Sequence, residues 1–361
     1  MRKILFISNG NSIHTIKWVK AIQKKYKVLL FDWRPINKDI YNNLDNVVII
    51  QPKNYNANKI LFISYLKAFF SINEISKKIS PDLIHAHYAT SYGLLGVKAK
   101  VSCLITSVWG SDITEFPYKS WFHKKLTKYI LNSSNHIFVT SNYLAKKVKN
   151  ICGKDSLITP FGVEVKEKME INEESPFISF GTAKNITNYS GIDLCLKSFA
   201  KLKKMNPNKK ITFEIAGDGP FMNRLESIID ELGIKKDVNF YGHIDHKKIN
   251  SFMNKIDIYI NLPAIESFGV AVIEASASRL PVIVSNVGGL PEIVEDGKTG
   301  FIVDRENQPQ IINAMNLLLN NKKQVAIMGS NGLKLVKEKY NWNDSVKLMI
   351  SYYKKIYSDA L

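Results

Sequence analysis

Glu266 and Glu274, with seven residues between them, are acidic groups whose surroundings suggest chemistry on one bound molecule. The apolar run Ile256–Leu262 has the length and β-branched content of a strand and breaks at Pro263, which releases Glu266 into a loop. Ser267, Phe268 and Gly269 follow, and Val270–Ser278 has the spacing of a short helix on a sheet, with Glu274 expected two turns inside it. The first turn of such a helix leaves backbone N–H groups without partners and carries partial positive charge, which suits a phosphate approaching past Gly269. Ligands of an open α/β sheet bind at the carboxyl ends of the strands. Both carboxylates could look into one crevice there, one toward a sugar and the other toward a ribose. By spacing alone, a chance pair on an ordinary strand-turn-helix unit reads the same way.

The elements before this stretch read as a succession of strands and helices. Lys3–Ser8 is a strand of a parallel sheet, followed by the loop 9–12 and a helix over 14–25, a Rossmann-like opening. Gly10 stands alone, so a dinucleotide fingerprint is absent. Asn11, Ser12 and His14 are candidates for phosphate or acceptor contacts, with Ser12 as a plain helix cap the competing reading. Residues 59–80 form a helical pattern whose first half is apolar nearly all round, as in a core helix or one lying on a membrane. The strand ending at His87 puts His85 and His87 on one face by alternation. After the strand Leu104–Val108, Asp112 lies where it could orient an acceptor hydroxyl or cap the next segment. Phe116, Tyr118, Trp121, Phe122 and Tyr129, mixed with Lys119, Lys124, Lys125 and Lys128, suit an anionic bilayer interface or a solvated helix face. Ile211–Ala216 is a strand ending in the turn at Gly217.

From Glu266 through Phe301 the residues Glu-Ser-Phe-Gly, Ile-Glu-Ala, Pro281–Val284, Gly288–Val294 and Gly297–Phe301 run in one continuous pattern. The pattern resembles the nucleotide-sugar site of the retaining glycosyltransferases of family 4. The resemblance implies a GT-B architecture, α/β with two Rossmann-like domains facing each other across a cleft, spanning nearly the whole chain. It implies that Glu266 faces the donor sugar and Glu274 holds the ribose hydroxyls, with Ser267, Phe268, Gly269 and Val270 beside the nucleotide. It further implies that His87 contacts the donor sugar, that the loop after the first strand faces the donor, and that Gly217 and the segment Val238–Ile244, with Gly242 and His243, adjoin the nucleotide. The family's Gly-Arg-Leu and following Lys-Gly, whose cations grip the diphosphate, are replaced here. Thr182 and Ser190 stand at those positions, the loop has about three extra residues, and Lys184 is its only cation. Either Lys184 takes over the phosphate contact and joins Glu266 and His87 in catalysis, or backbone groups and the helix dipole hold the diphosphate.

The expected activity is metal-independent transfer of a sugar, with retention, from a nucleotide diphosphate sugar, UDP favoured. The acceptor would be a glycan or lipid-linked glycan of bacterial cell-surface polysaccharide synthesis, such as lipopolysaccharide or capsule. No Asp-x-Asp pair occurs in the chain, and no cofactor beyond the nucleotide-sugar substrate is expected. The alternatives are a sugar-nucleotide epimerase or other GT-B enzyme, and a non-catalytic basic protein that binds membrane or nucleic acid. Epimerases of this fold lack the Glu-Ser-Phe-Gly to Ile-Glu-Ala arrangement.

The totals are compatible with this reading. A chain of 361 residues, 45% hydrophobic, holds two domains with their own cores. Their expected extents are 1–165 and 166–342, with helix 343–361 returning to the first and a linker over 164–174. The net charge of +18 attracts polyanions. Zinc-finger spacing, an RNP-like motif and an arginine-rich tail are all absent, which argues against nucleic acid. The 3 scattered cysteines point to a reducing compartment, and no apolar segment reaches bilayer-spanning length. A cytoplasmic protein, peripheral on the inner face of the cell membrane, is expected.

Overall fold

A computed structural model of the chain describes residues 1–52, 61–101, 103–165 and 177–359. The expected linker falls mostly outside them. The chain divides into two compact units, 1–160 with 345–361, and 161–344. Residues 161–165, expected in the first unit, belong to the second because Val163 N–H donates to Tyr340 C=O and Val163 bridges Asn341.

The first unit is built on strands β1 (Lys3–Ile7), β2 (Lys27–Phe31), β3 (Val47–Ile50), β4 (Leu83–His87), β5 (Leu104–Val108), β6 (His136–Val139) and β7 (Leu157–Ile158). They pair in parallel in the order β3-β2-β1-β4-β5-β6-β7. The central strands are buried on both faces, as a sheet covered by helices on both sides requires, with His85, His87, Thr106 and Ser107 as buried polar members of β4 and β5. Leu5, Ile7, Phe31, Ile84 and Leu95 lie in one core cluster, and Val108, Ile130, Val139 and Leu144 in another.

The second unit contains β8 (Phe177–Ala183), β9 (Lys210–Ala216), β10 (Val238–Phe240), β11 (Ile258–Asn261), β12 (Val282–Ser285) and β13 (Gly300–Val303). Their order is β10-β9-β8-β11-β12-β13, also parallel. Counted within its own unit, each sheet runs third, second, first, fourth, fifth, sixth, with a seventh strand added at the end of the first unit's sheet. This is the doubly wound order whose direction reverses between the first and fourth strands. That reversal opens a crevice at the carboxyl ends of β1 and β4 in one unit and of β8 and β11 in the other.

The apolar first half of the helix Leu61–Ile79 is only partly buried in the core: Ser64, Ala68 and Ile72 are buried while Phe62 and Phe70 are 66% and 71% exposed. No described helix is long and apolar enough to cross a membrane.

Candidate active site

In the second unit, Lys184 follows β8 directly and Asn261 ends the adjacent β11, so the two residues flank the crevice. Lys184 Nζ donates to Asn261 Oδ1 at 2.8 Å and lies 4.0 Å from Glu266 Oε2. Burial lowers the Lys184 pKa below its ordinary value, and the Glu266 carboxylate opposes that shift. An anion entering beside Lys184 would favour the protonated amine further.

The loop carrying Glu266 is shaped by its neighbours. Glu266 Oε1 accepts from Ser267 N–H at 3.1 Å, and Glu266 C=O accepts from Gly289 N–H at 3.1 Å. Gly288 has φ +58, and a Cβ there would sit 1.6 Å from Glu266 O. The loop 286–289 therefore lies against the Glu266 backbone only because no side chain intervenes.

Several expected roles change. Gly269 has φ +97, but a Cβ there would meet Leu290 Cδ2 at 2.7 Å and Ile293 Cδ1 at 2.9 Å. Its missing side chain makes room for the helix Leu290–Ile293. Phe268 is buried and packs edge-on against Phe161 and Tyr340, with centroids 6.1 and 5.9 Å away, so it belongs to an aromatic core. Glu274 is the fifth residue of the helix Val270–Ala277, just past its first turn and not two turns in. Ser267 and Val270 remain partly exposed at that helix start.

The loop after β8 explains the missing cations. Thr182 is buried inside β8, and buried Ser190 donates its hydroxyl to Thr187 C=O at 2.7 Å. Gly191 presses on the backbone after β11: a Cβ would stand 1.7 Å from Leu262 O. The residues at the expected cation positions are thus packed inward, and Lys184 is the cation of this loop that reaches the crevice. Gly217, φ +142, leaves no room for a Cβ beside Lys184 O, and its N–H donates to Gly242 C=O at 2.8 Å. His243 is exposed.

At the equivalent crevice of the first unit, His85 and His87 do share a face, with ring centroids 4.7 Å apart. Both are buried. His85 sits between Tyr353 OH (2.6 Å) and Ser107 Oγ (2.7 Å), and burial lowers its pKa to about 3. His87 Nδ1 meets Ser8 Oγ at 3.0 Å, Ser8 Oγ meets Thr15 Oγ1 at 2.7 Å, and the His87 ring packs on Trp109 with centroids 4.4 Å apart. Burial, then the neighbouring His85 and His14, hold His87 well below its ordinary pKa. It is a neutral hydrogen-bonding group.

The other candidates of this unit are taken up by the fold. Asp112 is buried, and its oxygens accept from Ala89, Gly110 and Trp109 N–H groups at 2.8, 2.8 and 3.3 Å, so it ties two loops together. Burial raises its pKa to about 6 against those donors. Asn11 donates to Pro35 C=O at 2.7 Å and accepts from Asn37 N–H at 2.9 Å, bracing its loop. Ser12 precedes the helix Ile13–Ile22 without a side-chain cap bond, and His14 packs edge-on against Trp109 at 5.8 Å.

Sequence reading missed Asn261, Asp32 and His246. Asn261 had a signal, a polar residue closing an apolar strand. Asp32, buried after β2, accepts from Gly10 N–H, Arg34 N–H and Tyr92 OH at 2.8, 3.0 and 3.0 Å and is raised to about 6 by burial. His246 reaches Glu274 from a distant loop and had no signal at all.

Known proteins can now be set beside this geometry. Residues 164–335 match the family model of glycosyl transferases group 1, and residues 3–141 that of glycosyl transferase 4-like proteins. The chain is a group 1 glycosyltransferase. This glycosyltransferase is 26% identical over 352 residues to an uncharacterized glycosyltransferase of Methanocaldococcus jannaschii, covering 96% of this chain and 95% of that one. It is 23% identical to the N-acetyl-alpha-D-glucosaminyl L-malate synthase of Bacillus anthracis, over 80% of this chain and 77% of the other. A GDP-mannose-dependent mannosyltransferase of Mycolicibacterium smegmatis aligns over only 42% of this chain and 41% of its own length, at 28% identity. Among solved structures, the sucrose-phosphate synthase of Thermosynechococcus elongatus has a TM-score of 0.85 at 18% identity, covering 99% and 100% of the two chains. HepE of Anabaena, in complex with UDP and glucose, has 0.80 at 17%, covering 98% and 100%. The fold is GT-B, with two Rossmann-like units.

Proposed function

We propose that this glycosyltransferase moves a sugar, with retention at the anomeric carbon, from a nucleoside diphosphate sugar, UDP-sugar favoured, to a glycan or lipid-linked glycan acceptor of a bacterial cell surface. The observation that carries the reading is the Lys184–Glu266 pair, a cation and a carboxylate 4.0 Å apart at a crevice where α/β sheets bind ligands. As the bond between the anomeric carbon and the diphosphate breaks, negative charge grows on the leaving group and positive charge on the sugar. Lys184 meets the first and Glu266 the second. Glu274, in the next helix, holds the ribose. The missing Asp-x-Asp pair fits a reaction in which Lys184 and the helix start at Val270, not a divalent ion, supply positive potential.

The acceptor would be reached at a membrane surface. On the helix Trp121–Ser133, Trp121 and Phe122 are 72% and 58% exposed, beside Tyr118 and Tyr129 and among Lys119, Lys124, Lys125 and Lys128. Lys125 Nζ lies 4.9 Å from the Trp121 ring centroid. Aromatic and basic residues on one face support docking to an anionic cytoplasmic leaflet, where each lysine contributes on the order of 1 kcal/mol. Flotation should recover the protein with anionic vesicles and lose it as salt rises; equal recovery with neutral vesicles removes the electrostatic part.

The catalytic reading is tested by a thermal-shift screen of UDP, GDP, ADP and TDP, followed by donor turnover of Lys184→Ala. Stabilisation by a nucleotide, together with a large fall in kcat in the variant, is expected. Wild-type kcat in Lys184→Ala would remove the lysine from the mechanism, and no nucleotide binding at all would remove the donor site.

A further inference from the structure

The chain reaches Glu274 from an unexpected direction. His246 Nε2 lies 2.7 Å from Glu274 Oε1, although 28 positions separate them. The imidazole sits on the single 3-10 turn His246–Lys248 after β10, the strand at the edge of its sheet. That turn is held in place: the Asp245 carboxylate accepts from Lys247 N–H at 2.9 Å, and Asp245 C=O accepts from Lys248 N–H at 2.7 Å. Its root is tied to β9, since Tyr241 N–H donates to Ile215 C=O at 2.9 Å and Gly242 C=O accepts from Gly217 N–H. In the sheet, β9 and β8 lie between β10 and β11, so the loop after β10 passes their carboxyl ends to meet the helix that follows β11.

Exposure divides unevenly between the partners. The Glu274 side chain is 12% exposed and that of His246 42%. A carboxylate so far withdrawn from water needs a donor, and a glutamate with three rotatable bonds needs something to select its rotamer. An imidazole N–H supplies both through one short bond. A carboxylate has about four lone-pair sites, so this bond leaves capacity for the two hydroxyls of a ribose.

We infer that His246 is a positioning residue for the donor nucleotide: it holds Glu274 in the rotamer that receives the ribose hydroxyls. The inference rests on the reading of Glu274 as the ribose carboxylate. Its effect is specific to nucleotides that use both hydroxyls, since a nucleotide lacking one has less to gain from an aligned carboxylate.

Titration calorimetry of the full chain with UDP and 2′-deoxy-UDP tests it, with GDP and 2′-deoxy-GDP used instead if GDP is the nucleotide that binds. His246→Ala should weaken the ribonucleotide about tenfold, within the range for a hydrogen bond to a charged group, and weaken the 2′-deoxy form distinctly less. His246→Gln, whose amide still donates, should recover most of the affinity. In steady-state turnover His246→Ala should raise the donor KM and leave kcat nearly unchanged. Its melting temperature should fall somewhat, since Glu274 loses its donor, so the ribose-specific difference between the two nucleotides is the readout that a merely structural role would not move. Unchanged ribonucleotide affinity in His246→Ala, or equal weakening of both nucleotides, overturns the inference. Glu274→Gln separates the two layers: if it weakens UDP while His246→Ala does not, only the positioning role fails, and if it leaves UDP binding intact, the ribose reading itself fails.

Discussion

The two units share one strand order and one crevice position, yet they fill that position with opposite chemistry. At the carboxyl ends of β1 and β4 stand Ser8, His85 and His87, buried, uncharged and hydrogen-bonded to Thr15, Ser107 and Tyr353. At the carboxyl ends of β8 and β11 stand Lys184, Asn261 and Glu266, with the two charged side chains 17% and 26% exposed. Topology therefore supplies a place for a ligand in both units, and the side chains decide which place carries charge. The same contrast holds for the carboxylates. Asp32 and Asp112 of the first unit each accept from two or more backbone N–H groups, whereas Glu266 Oε1 accepts from the Ser267 N–H and Glu274 Oε1 meets the His246 imidazole.

The largest effect should come from the charged crevice. Glu266→Gln should lower kcat by roughly a hundredfold or more, about 3 kcal/mol of lost contact to developing charge, with nucleotide affinity nearly unchanged. Steady-state kinetics beside calorimetry reads this, and wild-type kcat would break the contrast between the units. Asp112→Asn should act on the other side of the comparison. It puts an amide NH2 among three N–H donors, so it should cost about 1–3 kcal/mol of stability while nucleotide affinity stays at wild type. Denaturant unfolding measures it; weakened nucleotide binding at full stability would show Asp112 to be functional after all.

The buried histidines give a smaller, pH-dependent effect. His85 is held below its ordinary value of 6.5, near 3. The folded chain therefore keeps it neutral, and the stability it contributes is present above 6.5 and lost as pH falls toward 3. The loss is about 1.4 kcal/mol per pH unit in that window. Asp32 and Asp112, both raised to about 6, act in the opposite sense: their contribution is present below their ordinary value of 3.8 and lost as pH rises through 6. The readout is accordingly the difference in melting temperature between wild type and His85→Gln from pH 7 to pH 5, where wild type should lose more. A parallel pair of curves would mean that His85 titrates normally. The smallest effect should be that of chelation. Excess EDTA should leave turnover unchanged, and activity lost to EDTA and restored by magnesium or manganese would show that Lys184 does not supply the positive potential alone.

Much of the scaffold was legible because local pattern suffices for it. Mostly apolar runs of strand length that break at a turn residue, such as Ile256–Leu262 before Pro263, follow from burial on both faces of a parallel sheet. Glu266 and Glu274 were legible because strand, break and helix lie consecutively in the chain. The alternation that puts His85 beside His87 is likewise a local rule. The aromatic role of Phe268 was not legible, since Phe161 and Tyr340 come from remote segments. The packing at Gly269 was not legible for a related reason: its sequence position announces a missing side chain but not what fills the space, which is Leu290 and Ile293.

By itself, then, the order of residues determined the alternating strand and helix units, the two-glutamate stretch, and the absence of the expected cations at Thr182 and Ser190, because each depends on neighbours within one element or loop. Only the tertiary structure decided that Lys184 stands beside Glu266, that His246 grips Glu274, and that Asp112 serves the backbone. Those contacts join groups from different elements of one unit, and hydrogen bonds and desolvation act on distance in space, which spacing along the chain does not encode.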